Sequence, residues 1–287
     1  MSEETEFQSR LPREVRGAAQ SLSRPGARDL VELYYDLQKM RIEANNRALH
    51  DDRVAAFFAG QLGAMERQVR SLLGAWVETH PVGGWLLAQH GIGPVLAAGL
   101  VAWLDVWQER PVLGPDGAPL LDENGETVRE RVPIETVGHW WRFAGLDPSQ
   151  SWGKGERRPH NARLKTLCWK VGESFVKSSG SDRSFYGALY RQRKELEVWR
   201  NETGGNAQAA KEKLERFPRH AQRDAYASGK LPASQVHARA RRWTVKLFLS
   251  HLHEVWYRSE FGCAPPDPYA LKVLGHAHKI TPPEGDG

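Results

Sequence analysis

The chain has 287 residues, 40% of them apolar, and a formal charge of +5, so it can bury a substantial core and disorder throughout is excluded. Its longest strongly apolar run, Val95 to Leu104, falls short of the roughly 18–20 residues that a membrane-spanning helix needs, and the acidic start Met1-Ser-Glu-Glu-Thr-Glu lacks the apolar centre of a secretory signal; a soluble, cytoplasmic protein with no membrane partner is expected. Cys168 and Cys263 are the only cysteines, which excludes a disulfide framework and a four-cysteine zinc site.

Residues 1–28, with Pro12, Pro25 and scattered polar residues, have no sustained apolar period and read as a mobile lead-in. From Asp29, an acceptable N-cap, Leu30, Leu33, Tyr34, Leu37 and Met40 fall at spacings of three and four, which predicts an amphipathic helix to about His50. A second stripe, Val54, Phe57, Phe58, Leu62, Met65, Val69, Leu72, Leu73 and Trp76, predicts a partner helix with these side chains on one broad face. Together they make a helical hairpin or short coiled coil over 29–80, packed on itself or against a second copy as a homodimer.

After Pro81-Val-Gly-Gly, a short helix Trp85–His90, a turn Gly91-Ile92-Gly93-Pro94 and an apolar helix Val95–Leu104 follow in the order of a helix-hairpin-helix. Gly91 and Gly93 allow positive φ and close approach, and Pro94 suits the first helical position. Backbone amides at Gly91, Ile92, Gly93 and Val95 could hold a phosphate without reading sequence; a turn that only lets two core helices cross would need the same glycines. Residues 108–133, with turn chemistry at Pro115-Asp-Gly and Glu123-Asn-Gly, read as an inserted two- or three-stranded hairpin.

Charge then changes sign. Residues 1–150 hold 15 Lys/Arg and 21 Asp/Glu, residues 151–250 hold 22 and 9, and residues 251–287 hold 3 and 5. Segregation of this size points to a polyanionic partner, most simply nucleic acid. The basic stretch opens with a Gly-rich loop carrying Lys154, Arg157 and Arg158, followed by a helix from Ala162 to Lys177 with Arg163, Lys165 and Lys170 outward and Leu164, Leu167, Cys168, Trp169, Val171 and Phe175 largely inward. Helices over 183–199, 209–216 and 232–257 are expected after it, with a polar linker over 201–208 and a tail, 263–287, pinned at Tyr269 and Leu271. Trp152 could stack on an unpaired base or pack inside.

Walker, nucleophile-elbow and zinc-protease patterns are absent. His251 and His253 lie two apart on a helix and point to different sides, so neither a metal site with them nor one with His276, His278 and Cys263 is expected, and the chain needs no cofactor of its own.

Gly91-Ile-Gly-Pro94-Val-Leu-Ala-Ala-Gly-Leu, Trp141-Arg-Phe-Ala-Gly145-Leu-Asp-Pro148, Ser151-Trp-Gly-Lys-Gly, Asn161-Ala-Arg-Leu-Lys165 and Ser184-Phe-Tyr-Gly-Ala-Leu-Tyr-Arg191 occur in that order. Over roughly residues 85–270 this series resembles the C-terminal transposase domain of the insertion-sequence one-ten / one-sixteen / nine-oh-two family, DNA recombinases of serine type guided by a structured RNA. The resemblance implies DNA, and structured RNA, as partners and a nucleophilic serine in the loop after Asp147-Pro148, which falls on Ser151 with Ser149 as alternative. A hydroxyl there could attack a phosphodiester if Lys154, Arg157 and Arg158 steady the charge and a base takes its proton.

The family's RuvC-like metal-binding domain has no counterpart in the residues before the first helix, the 108–133 insertion interrupts a stretch short in the family, and Pro159-His160-Asn161 replaces its Arg/Lys-Gly-Asn step. The expectation is therefore a mainly α protein, a helical hairpin followed by a helix-hairpin-helix-containing domain over 81–262 with a small β insertion, that binds nucleic acid in a transposase-like way. The alternatives are an active recombinase subunit that works with a separate RuvC-like partner, and a non-enzymatic assembly protein.

Overall fold

The structure, a computed structural model, describes residues 17–48, 53–266 and 280–284, and it is mainly helical with one two-stranded antiparallel ribbon. Helix α1 spans Arg24–Ala48 and α2 spans Arg53–Glu78. The start of α1 precedes the expected Asp29 because Ser23 is the cap: its Oγ accepts from the Gly26 amide (3.2 Å) and its carbonyl from the Ala27 amide (2.8 Å). Pro25 falls in the first turn, where a missing N–H costs nothing. The segment before it is tied down: Ala19 is buried, and the Trp76 indole donates to the Leu22 carbonyl (3.0 Å).

The inner face of the hairpin also differs from the expected one. Small residues, Ala55, Ala59 and Gly63, are buried along the outer half of α2, while Val54, Phe57, Phe58 and Met65 are exposed. The axes approach so closely that a Cβ on Gly63 would lie 3.3 Å from Arg41 Cδ, and the Arg41 guanidinium pairs there with the buried Glu66 carboxylate. Large side chains enter only nearer the base, at Leu73, Trp76 and Val77.

Those residues join a core built around α4 (Pro94–Trp103), which follows the short α3 (Gly83–Ala88). Helix α4 is apolar throughout, with Ala97, Ala98, Leu100 and Val101 fully buried against α1, α2 and α6 (Ala162–Lys177). Full burial of a side chain such as Leu100, Leu164 or Phe248 is worth roughly 1.5–3 kcal/mol. The ribbon pairs β1 (Trp107–Pro111) with β2 (Arg129–Pro133), with Gln108 opposite Val132 and Arg110 opposite Glu130. Between them Gly117 and Gly125, each at φ 78°, turn the chain, and isolated bridges join Leu113 to Pro119 and Leu121 to Thr127.

After α5 (Gly138–Phe143), Asn161 caps α6 by accepting from the amides of Arg163 and Leu164, and Ser184 caps α7 (Phe185–Glu202) by accepting from the Gly187 amide. Within the expected linker 201–208, which is otherwise exposed, Asn201 and Asn206 are buried and form a polar junction. The Asn206 amide group donates to Asn201 Oδ1 (3.1 Å), Asn201 Nδ2 donates to the Leu231 carbonyl (2.9 Å), and Arg239 donates to Asn206 Oδ1. Helices α8 (Ala207–Arg216) and α9 (Arg223–Ala227) lead to α10 (Ala233–Phe261). Close glycine contacts seat α6 between its neighbours: a Cβ on Gly99 would lie 2.7 Å from Leu167 Cδ2, and one on Gly172 2.6 Å from Arg241 Cγ. Residues 280–284 are held through Ile280, whose carbonyl meets His251 Nε2 (2.9 Å), and Pro283, whose carbonyl accepts from the Trp85 indole (2.9 Å). Tyr269 and Leu271 lie outside the described residues. No helix among the described residues is long and apolar enough to cross a membrane.

Candidate nucleic-acid interface

The turn between α3 and α4 is fastened to α6. Gly91 has φ 101°, a conformation that L side chains rarely adopt, and a Cβ there would lie 3.3 Å from the hydroxyls of both Ser174 and Ser178. Its carbonyl accepts a hydrogen bond from the Ser174 hydroxyl. Gly93 departs from the expectation of positive φ: at φ −91°, ψ 174° it is the extended N-cap of α4, without a capping side chain, and Pro94 follows at the first helical position. The first-turn amides of Val95 and Leu96 therefore have neither an intrahelical acceptor nor a side-chain cap, and they sit at the positive end of the helix dipole. The Ile92 amide, expected as a phosphate donor, instead donates to the Gln89 carbonyl (2.8 Å), and its side chain, 4% exposed, packs into the core.

A groove of about 390 Å³ opens at this helix end. Gly91, Gly93, Val95 and Leu96 line one wall, and Arg70, Lys170 and Lys177 bring three cations to it from α2 and α6. The Lys170 ammonium lies 3.6 Å from the centre of the Tyr35 ring. Burial, and then the like charge of Lys177, pull its pKa down, so an anion entering the groove would relieve an existing electrostatic penalty. Glu173 also lines the groove, but its carboxylate is committed to Arg241 of α10.

Along α6 in the other direction, the chain enters through the loop 147–161. Asp147 Oδ1 accepts from the Ser149 amide (2.9 Å) and hydroxyl (2.8 Å), and Oδ2 accepts from Arg142 (3.2 Å). These donors, Ser149 foremost, hold the Asp147 carboxyl below the usual carboxylate range. The Ser149 hydroxyl thus helps to hold the turn. Ser151 is exposed, and no hydrogen bond among the described residues joins its hydroxyl to a base. Lys154, Arg157 and Arg158 are exposed and take part in no ion pair among the described residues. Arg163 differs: it is tied to Glu32 of α1 at 2.6 Å and serves the packing of α6 on the hairpin.

Sequence patterning misplaces Trp169. Expected inward, it is 51% exposed, with the Arg241 guanidinium 5.2 Å from its ring centre. Trp152 is 45% exposed, with its ring against the edge of His160 and the Lys165 ammonium 5.6 Å away. Between Lys165 and Lys246, seven cations lie over aromatic rings: Lys165, Lys170, Arg193, Lys213, Arg216, Arg241 and Lys246. The basic half is therefore interleaved with aromatics. Apart from Lys213 and Arg216, which share Phe217 at the end of α8, the partners come from different elements, so no periodic pattern could reveal them.

His251 and His253 are core residues. The His251 ring meets the Tyr186 hydroxyl (2.9 Å) and the Ile280 carbonyl, and His253 Nε2 meets the Ile134 carbonyl (2.8 Å). No group of three or more His, Cys, Asp or Glu among the described residues is placed to hold a metal ion, and His276 and His278 lie outside them. Cys168 is buried and Cys263 exposed, and neither is bonded to the other. No protein-family model, curated protein or solved structure matches the chain.

Proposed function

We propose that the protein is a transposase-like nucleic-acid-binding protein that holds a sugar–phosphate chain along α6, with phosphates at the α4 groove and at the loop cations Lys154, Arg157 and Arg158. One observation carries the reading: the start of α4, uncapped at Val95 and Leu96, and the residues Arg70, Lys170 and Lys177 line one open groove. The order of motifs from Gly91 to Arg191 that resembles transposase domains supports it further. The reading is one of binding: among the described residues no hydrogen bond joins the Ser151 hydroxyl to a base.

Fluorescence anisotropy of labelled oligonucleotides with the full chain tests it. Binding in low salt should weaken by at least about tenfold in Lys170→Glu/Lys177→Glu, since two attractive charges become repulsive beside each phosphate. A probe whose anisotropy does not change with added protein would instead favour an assembly protein whose charges serve protein contacts.

A further inference from the structure

Trp152, Lys165, Trp169 and Arg241 form an alternating row of ring, cation, ring and cation. Lys165 lies under Trp152 and Arg241 under Trp169, at 5.6 and 5.2 Å from the ring centres. Lys165 and Trp169 are four residues apart on α6, so they share a stripe with about 6 Å of rise between them. Trp169 also borders the groove that Lys170 and Lys177 line, which places the row beside the phosphate seat.

Two indoles left about half exposed are poorly suited to a duplex, whose bases turn their faces to each other and offer only edges and phosphates to a protein. A strand of unpaired nucleotides offers what the row can use, a flat base face for each indole and a phosphate for Lys165, while Arg241, paired with Glu173, backs the Trp169 ring. A base stacked on an exposed aromatic ring covers it from water, and every base has such a face, so the contact tolerates any sequence. Resting on the reading above, we infer that the preferred ligand is single-stranded where it crosses α6, with unpaired bases stacked on Trp152 and Trp169 and the backbone directed to Lys165 and on to the α4 groove.

The test compares the anisotropy of a labelled single strand of about 16 nucleotides with that of the same sequence as a duplex, using the full chain at one salt concentration. The single strand should bind about tenfold tighter. Trp152→Ala/Trp169→Ala should lower single-strand affinity about tenfold and bring the two probes toward equal binding, whereas Trp152→Phe/Trp169→Phe, which keeps a ring at both places, should preserve most of the preference. Far-UV circular dichroism separates a lost contact from a lost fold. Duplex binding as tight as single-strand binding, or a preference that survives the alanine pair in a folded protein, overturns the inference and leaves the nucleic-acid reading standing. Failure of both probes to bind in low salt overturns both.

Discussion

Replacing Lys154, Arg157 and Arg158 together by alanine tests the interface quantitatively, because salt dependence counts the phosphates a protein neutralises. Three cations at the α4 groove, Arg70, Lys170 and Lys177, the three in the loop and Lys165 make seven available to a backbone. With about 0.7 of a counterion released per phosphate of a single strand, log K should fall against log salt with a slope of about −5. Raising salt from about 50 to about 200 mM would then weaken binding about 900-fold. The triple variant retains four cations, so its slope should be about −3 and the loss over the same range about 50-fold. The three side chains are exposed and unpaired among the described residues, so the substitution should leave the fold intact. The assay is an anisotropy titration at four or five salt concentrations. A wild-type slope shallower than about −1, or the same slope in both proteins, would refute the assignment of these cations to phosphates.

Gly91→Ala places a side chain at φ 101° against two serine hydroxyls and should destabilise the chain by about 1–3 kcal/mol in urea unfolding, whereas Gly93→Ser, at an N-cap with open space around it, should be neutral or slightly stabilising; equal losses would contradict the turn geometry. His80 is held at a pKa of about 4, first by burial and then by Arg24, and its Nδ1 accepts from the Val82 amide (3.4 Å). The folded value is below the unfolded one, so the unfolded state binds more protons, and Tm should drop as pH falls from about 6.5 to about 4; His80→Gln should flatten that drop, and an unaltered profile would assign it elsewhere. Ser151→Ala should leave oligonucleotide affinity unchanged within about twofold, with no denaturant-resistant protein–DNA adduct formed by either protein. An adduct on a nicked substrate that disappears in Ser151→Ala would replace the binding reading with a catalytic one.

Apolar period found the helices well where one face is buried and the other wet, and α6 is the clear case. It failed where packing runs through small residues. The stripe Val54-Phe57-Phe58-Met65 looks like a core face, but Ala55, Ala59 and Gly63 let α1 approach and the large side chains are left outside. A helix face made of alanine and glycine carries too little hydrophobic contrast for period to register. Asparagine misled in the opposite sense: Asn201 and Asn206 read as a linker, yet each satisfies the other and the backbone of a buried junction. In the site, Gly91, Val95 and Lys170 were legible from local motifs. Their convergence with Arg70 and Lys177 was not, since it depends on how α2, α4 and α6 pack. Trp169 was misjudged because Arg241, 72 positions away, covers one side of its ring and leaves the other to solvent.

The excess positive charge of residues 151–250 does not translate into an even coat. Arg193, Lys230 and Arg241 pair with Glu197, Glu202 and Glu173 of the same half, and Arg163 reaches across to Glu32. Exposed cations remain on α6 and the loop before it; on α7, where Arg191 and Lys194 flank the exposed Val198 and Trp199; and on α8 and the segment after it, at Lys211, Arg216, Arg219 and Arg223. The first two groups differ in what accompanies the charge. Helix α6 borders uncapped amides that can donate directly to a phosphate, whereas the α7 patch contains Glu195 and no helix start. Phosphate binding should therefore discriminate between them: Lys170→Glu/Lys177→Glu should weaken oligonucleotide binding more than about tenfold, and Arg191→Glu/Lys194→Glu, with the same change in net charge, by less than about threefold. Because the two variants alter long-range attraction equally, a difference in this direction isolates contact from steering, and equal losses would mean that the protein attracts polyanions without seating them.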